Sequence, residues 1–289
     1  MMALNLFVDG IALWTPQWPQ WAAAQAALRG EAAFMAEDLN PAQSLRQTPS
    51  PTLLTPAERR RAPATVALAL EVATAAAAMS GRNAAELPTV FTSAHGDLAI
   101  NDAMCRAVID APLLVSPTKF INSVHNAPAG YWAIATACRE PSTALSALDH
   151  SFAAGFFEAA LQAIADDQAV LLVGYDMAAT GPLADVAVSR GPMAVALVLS
   201  PHARASSGWA LSLTLQTASD AAPTPCRSAA CASLASHGMK EALPLLEALA
   251  ACGTPTPNDA PMDTVVMPLS SSQVLHVRLQ ACHPPAAHL

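Results

Sequence analysis

Between Ser116 and Glu158 the chain reads SPTKFINSVHNAPAGYWAIATACREPSTALSALDHSFAAGFFE, and this stretch restricts the fold more than any other. Its patterning predicts a loop, a helix opening near Asn122, a short apolar strand Thr143 to Leu148, and a sharp corner at Asp149-His150-Ser151. A second helix, Phe152 to Ala165, follows, packed with Ala and Phe. Strand, abrupt corner and buried helix together hold a nucleophile at a helix N-terminus, where backbone N–H groups and the helix dipole favour negative charge. Here the corner residue is Asp149, and no Ser or Cys occupies it.

The flanking sequence repeats the same alternation. Leu4 to Trp14 reads as a strand, and Trp14, Trp18 and Trp21, interrupted by Pro16 and Pro19, mark a packed turn into a short helix. Ala36 to Thr55 suits a surface loop, after which Thr55 as N-cap and Pro56 at the first helical position open helices that continue to Met79. Pro88 to Ala94 is a strand covered on both faces. His95-Gly96-Asp97, with His95 as a hydrogen-bonded turn histidine, then turns into a helix through Met104 to Ile109. Ala169 to Tyr175, Pro192 to Leu199, Trp209 to Thr217 and Gln273 to Leu279 are further strands, and Ala229 to Ala251 a helix. Ser219 to Pro225 and Gly253 to Pro261 are Pro-rich breaks. Apolar strands alternating with Ala-rich helices predict an α/β fold, with helices covering mostly parallel strands.

Composition narrows the class of protein. With 53% hydrophobic and 12% charged residues over 289 positions, a large core can be buried. The net charge of -8 and the single basic cluster, Arg59-Arg60-Arg61, argue against a nucleic-acid partner. Six cysteines without a CxxC pair read as reduced thiols. The N-terminus carries Asp9 and no basic run, so it is no signal peptide. The Ala-rich run Thr65 to Met79 contains Glu71 and is too short to span a bilayer. A soluble, cytoplasmic protein without a membrane span is expected.

The central stretch resembles the β-ketoacyl synthases, the condensing enzymes of fatty-acid and polyketide synthesis. Ser116-Pro117, the run Ser123-Val124-His125-Asn126-Ala127, Gly130-Tyr131-Trp132 and Pro141 lie on their motif without a gap up to the corner. The chain is most similar to the chain-length-factor subunits of aryl-polyene-type clusters. The resemblance implies a thiolase-like layered fold in a single domain, 1–289, with a complete first half (1–200) and a truncated second half (201–289). In the family, the corner carries the cysteine that takes the acyl chain from an acyl carrier protein; here that position is Asp149.

Condensation also needs two imidazoles to drive decarboxylation and steady the enolate. The family's His-Gly-Thr-Gly-Thr and Gly-His loops are missing: His237-Gly238 is followed by Met239-Lys240, and His276 sits in a strand. The family's glycine loop corresponds to Leu269-Ser270-Ser271-Ser272-Gln273. The resemblance therefore implies a non-catalytic subunit that dimerises with an active β-ketoacyl synthase, meets acyl carrier protein through that complex, and shapes the acyl tunnel.

Asp149 is expected to cap the Phe152 helix. His125, Asn126 and Gly130 are expected to be structural. Met104, Lys119, Phe120, Leu145, Leu148, His150, Phe152, Phe156 and Phe157 are the candidates for tunnel or interface. The competing reading is a stand-alone acyl-transfer or hydrolytic enzyme using Asp149 or His125. Cys138 reads as a small core residue. His276, Cys282 and His283 make only a weak metal set, so neither metal nor cofactor is expected.

Overall fold

The computed structural model describes residues 3–31, 48–204, 207–218, 222–251 and 264–281. The chain opens with β1 (Leu4–Trp14), α1 (Trp21–Leu28), α2 (Pro56–Arg59), α3 (Ala64–Ser80), β2 (Thr89–Thr92), α4 (Leu98–Asp110), α5 (Pro117–Asn122) and α6 (Ala127–Thr136). It continues with β3 (Ser142–Leu145), α7 (Ser151–Ala165), β4 (Val170–Asp176), β5 (Met193–Ser200), β6 (Trp209–Thr217), α8 (Ala229–Ser233), α9 (Leu243–Ala251), β7 (Thr264–Pro268) and β8 (Gln273–Ala281). The strands form one eight-stranded sheet in the order β3-β2-β4-β5-β1-β6-β8-β7.

Every residue of β4 and β5 is buried, because helices cover both faces. On one face, Leu171, Val173 and Val198 pack against Val66, Leu70 and Ala73 of α3 and Trp132 of α6. On the other, Leu172, Leu197 and Leu199 join Phe152 and Phe156 of α7, Leu28 of α1 and the leucines of α9. Helices over both faces match the expected layering. The strand directions do not, since only β3-β2-β4 is parallel and the other pairs are antiparallel. Residues 177–192, between β4 and β5, form one short 3-10 turn, Gly181–Asp185, and no crossover helix of the kind that usually joins parallel strands, so β5 returns antiparallel to β4.

Several boundaries also differ. Asn122 ends a helix rather than opening one: Ser116 caps α5 one turn earlier by accepting from the Lys119 N–H, and Pro128 in the first turn of α6 restarts the chain. The strand expected over Thr143 to Leu148 stops at Leu145. The helix expected over Ala229 to Ala251 breaks between α8 and α9, where Gly238 lies so close to the Asp176 carboxylate that a Cβ would collide with it. Strand β7 was not anticipated. The expected Thr55 cap is present as a full capping box, with Glu58 returning a bond to the Thr55 N–H at 2.9 Å. Most of the Ala36 to Thr55 loop, and Cys282 and His283, lie outside the described residues.

β1 sits inside the sheet, paired with both β5 and β6. A register shift between Val8 and Gly10 lets Leu4, Leu6 and Val8 and then Ile11 and Leu13 all face the same core, although the period of two alone would separate them. Asp9, in the bulge, is buried, accepts from Arg82 Nη2 at 2.6 Å and Nε at 2.9 Å, and also accepts from Ser207 Oγ. Removing one partner of a buried pair leaves the other charge unsatisfied. Arg82→Met should therefore lose on the order of 3 kcal/mol in urea unfolding, and Asp9→Asn in the same chain should recover part of it. A loss no larger than that of a surface substitution would show that the pair is not structural.

Candidate functional site

In a sheet of this kind, ligands bind outside the carboxyl ends of parallel strands, where successive connections leave in opposite directions. Here that point lies between β2 and β4, with β3 on the far side of β2. A hydrogen-bonded network joins the three strand ends. Ser93 Oγ donates to Asp176 Oδ1 at 2.7 Å, the Ala94 N–H lies 3.2 Å from both Asp176 oxygens, and the Gly96 N–H donates to Ser93 Oγ. Ser146 Oγ, just past β3, donates to the Ala94 carbonyl at 2.7 Å. His125 joins through Nε2, 3.0 Å from the Ser93 carbonyl, while Tyr175 donates to the His125 carbonyl.

The corner follows directly on β3. Leu148 adopts a left-handed conformation (φ 51°). Ser151 Oγ closes the turn by accepting from the Ala147 N–H at 3.0 Å and donating to the Leu148 carbonyl at 2.7 Å. Thr92 Oγ1 then donates to the Ser151 carbonyl, fastening α7 to β2. Gly155 permits this close packing, because a Cβ there would collide with the Thr92 side chain. His150 is the N-cap residue of α7 and makes no side-chain cap bond; its Nδ1 instead lies 2.7 Å from Glu241 Oε1, in the 3-10 turn before α9. Burial raises the Glu241 carboxyl above its ordinary range, and the bond to His150 opposes that shift. Among the described residues, no set of three metal-ligating side chains gathers at this corner.

The family model for the β-ketoacyl synthase N-terminal domain matches residues 18–252. The chain belongs to the β-ketoacyl synthase family. Solved structures agree at the level of the fold. A chain of the ketosynthase (ApeO) in complex with its chain length factor (ApeC) from Xenorhabdus doucetiae superposes with a TM-score of 0.68 at 21% identity, over 95% of this chain and 99% of that one. A chain of the ishigamide ketosynthase/chain length factor gives 0.70 at 15% identity, over 97% and 100%. A chain of AntDE:AntF, a type II polyketide synthase acyl-carrier protein in complex with its ketosynthase bound to the hexaketide, gives 0.70 at 10%, over 97% and 100%. Comparison with curated protein sequences gave no match. The architecture is the thiolase-like layered fold of the ketosynthases.

Within this ketosynthase fold the expected residues separate into groups. Asp149 is exposed and does not cap α7; Ser151, two residues on, closes the turn because its shorter side chain reaches back to Ala147 and Leu148. Asn126 stands at the N-cap of α6 without a side-chain cap bond, and Gly130 has open space where a Cβ would sit. His95 Nε2 is buried with no hydrogen-bond partner, against the expected hydrogen-bonded turn histidine. Phe152 and Phe156 are stacked at 6.1 Å and fully buried, with Phe157 and Leu145 packed against the same core. Lys119, Phe120 and Leu148 are exposed, and Met104 is half-buried. Cys138 is buried, its thiol near the Leu87 carbonyl at 3.4 Å.

Sequence reading missed Ser93, Asp176 and Glu241. Asp176 had a usable signal, an acidic residue closing the apolar run AVLLVGYD. Burial pushes its carboxyl up to about 7, although the bonds from Ser93 and Ala94 pull it down. The folded state thus holds this proton more tightly than the unfolded chain. Its stabilising contribution is present at low pH and is lost as the pH rises from about 4 through about 7. Asp176→Asn should flatten that part of the profile: melting temperatures of the two proteins between about pH 4 and pH 8 should converge at the acidic end and diverge in favour of the variant at the alkaline end. Parallel curves would show that Asp176 does not titrate in this range.

Proposed function

We propose that the chain is a non-catalytic ketosynthase-like subunit of chain-length-factor type. It pairs with an active β-ketoacyl synthase in the cytoplasm, meets acyl carrier protein through that complex, and shapes the tunnel for a growing acyl or polyene chain. Residues 1–200 are read as the intact first half of one domain and 201–289 as its shortened second half.

The observation that carries this reading is the exposure of large apolar side chains between Val108 and Leu148, together with the free edge of the sheet at β3. Nine of the twelve large hydrophobic side chains most exposed among the described residues fall between Val108 and Leu148. Leu113 is 96% exposed, and Ile109 and Leu114 80% each. Helix α4 has no fully buried residue, although it is thirteen residues long. Strand β3 ends the sheet with one edge unpaired and Ser142 and Ala144 exposed. Natural sheets protect such an edge with charges, bulges or a covering element. Large apolar side chains exposed in this number are the kind that a partner covers.

The corner supports the loss of chemistry. Its family cysteine position holds an exposed carboxylate, and the Ser270 loop that stands for the glycine loop is closed by Ser270 Oγ accepting from the Ser272 and Gln273 N–H groups. His237 is half-buried, its imidazole pushed below the ordinary range by desolvation, with Nδ1 on the Leu234 carbonyl. The structural relatives matched over nearly their whole chains come from complexes with a chain length factor or a carrier protein. Among the described residues no specific contact favours the stand-alone enzyme reading, since His125 Nε2 is engaged by a backbone carbonyl.

Co-expressed with the ketosynthase from its own gene neighbourhood, the chain should elute as a 1:1 heterodimer. Ile109→Glu with Leu114→Glu should release the partner while leaving the circular dichroism of the chain unchanged. A monodisperse monomer that ignores the ketosynthase, or a heterodimer indifferent to both glutamates, would remove the basis of the proposal.

A further inference from the structure

We infer that Cys226, Cys231 and Glu247 form a binding site for one thiophilic divalent cation of the zinc class. The two sulfurs and a carboxylate oxygen all lie within 4.8 Å of one another. A tetrahedral cation with bonds of about 2.3 Å to sulfur and about 2.1 Å to oxygen needs donors roughly 3.5–3.8 Å apart. The donors must therefore close by at most about 1.3 Å, which a rotation of the half-buried Cys226 side chain can supply.

The surroundings are organised as a ligand shell requires. Glu247, on α9, accepts from the Arg227 N–H at 2.8 Å, the Ser228 N–H at 2.7 Å and Ser228 Oγ at 2.5 Å. These three bonds hold a buried carboxylate in one orientation, as outer-shell donors do for ligating carboxylates. Ser228 also caps α8 by accepting from the Cys231 N–H, so the turn that fixes the second sulfur is the turn that fixes the carboxylate. Cys231 is fully buried; Cys226 is not, leaving one side for a water as fourth ligand.

Two thiols facing a buried carboxylate cannot all be anionic without a counter-charge. A divalent cation resolves the conflict: two S–H protons pass to solvent as two metal–thiolate bonds form. The Cys-x4-Cys spacing carries no such signature in the sequence, because the third donor comes from a different helix.

The test uses the full chain, reduced, stripped of metal and titrated with Co²⁺. One Co²⁺ per chain should bind with a thiolate-to-cobalt charge-transfer band, and Zn²⁺ should displace it. Cys226→Ser and Cys231→Ser should each weaken binding by about tenfold or more, while Cys105→Ser leaves it unchanged. Should Cys231→Ser fail to fold, Cys226→Ser still decides, since its side chain is partly exposed. Absence of the band, or its survival in Cys226→Ser, would overturn the site. So would a metal-free Cys226–Cys231 disulfide in the peptide map of freshly isolated protein.

Discussion

A carboxylate with almost no exposed surface, Asp9, sits in the bulge of the strand that holds the sheet together, and Arg82 makes its burial tolerable. β1 hydrogen-bonds on both sides, so β6, β8 and β7 join β3, β2, β4 and β5 in one sheet only through it. The bulge sets which side chains face which core, and a one-residue error there would turn half the strand inside out. Gly10, beside Asp9, lets α3 approach until a side chain would meet the Ala76 carbonyl. The alanines of α3 answer the same requirement from the other side, giving a thin contact over β1, β4 and β5.

From this frame the corner follows. β2 and β4 are rigid because both faces are covered, and their ends bring Ser93, Asp176 and the α7 turn into one hydrogen-bonded unit. Strand β3, the turn and α7 form a sharp corner, and Asp149 within it is exposed to solvent. His150 is tied to Glu241, so the turn is coupled to the later part of the chain. On the proposed reading, a ketosynthase scaffold with exposed apolar side chains between Val108 and Leu148 serves association.

The sequence made the strands legible where burial is complete. AVLLVGY and PMAVALVL fall within a residue or two of β4 and β5, because a covered strand leaves continuous apolar runs, whereas WALSLTLQT marks the half-covered β6 by its alternation. Strand direction was not legible, since the link 177–192 is long enough for a parallel crossover, yet it forms a short 3-10 turn and no crossover helix. The break between α8 and α9 was hidden because Gly238 is needed for Asp176, a neighbour only in space. At the corner, Asp149 and Ser151 both carry capping chemistry, and the choice between them rests on the left-handed Leu148. Ser93 and Glu241 gave no local signal at all; each acquires meaning from a partner distant in sequence.

The central claim, that a ketosynthase scaffold here serves a partner and forms no acyl-enzyme of its own, is tested most directly by intact-mass spectrometry. The chain and its ketosynthase, purified together, are incubated with acyl-loaded carrier protein and quenched. The account predicts a mass increase of one acyl group on the ketosynthase, abolished by replacing that enzyme's nucleophilic cysteine, and no increase on this chain. An acyl adduct on this chain that persists when the partner's cysteine is replaced would contradict it.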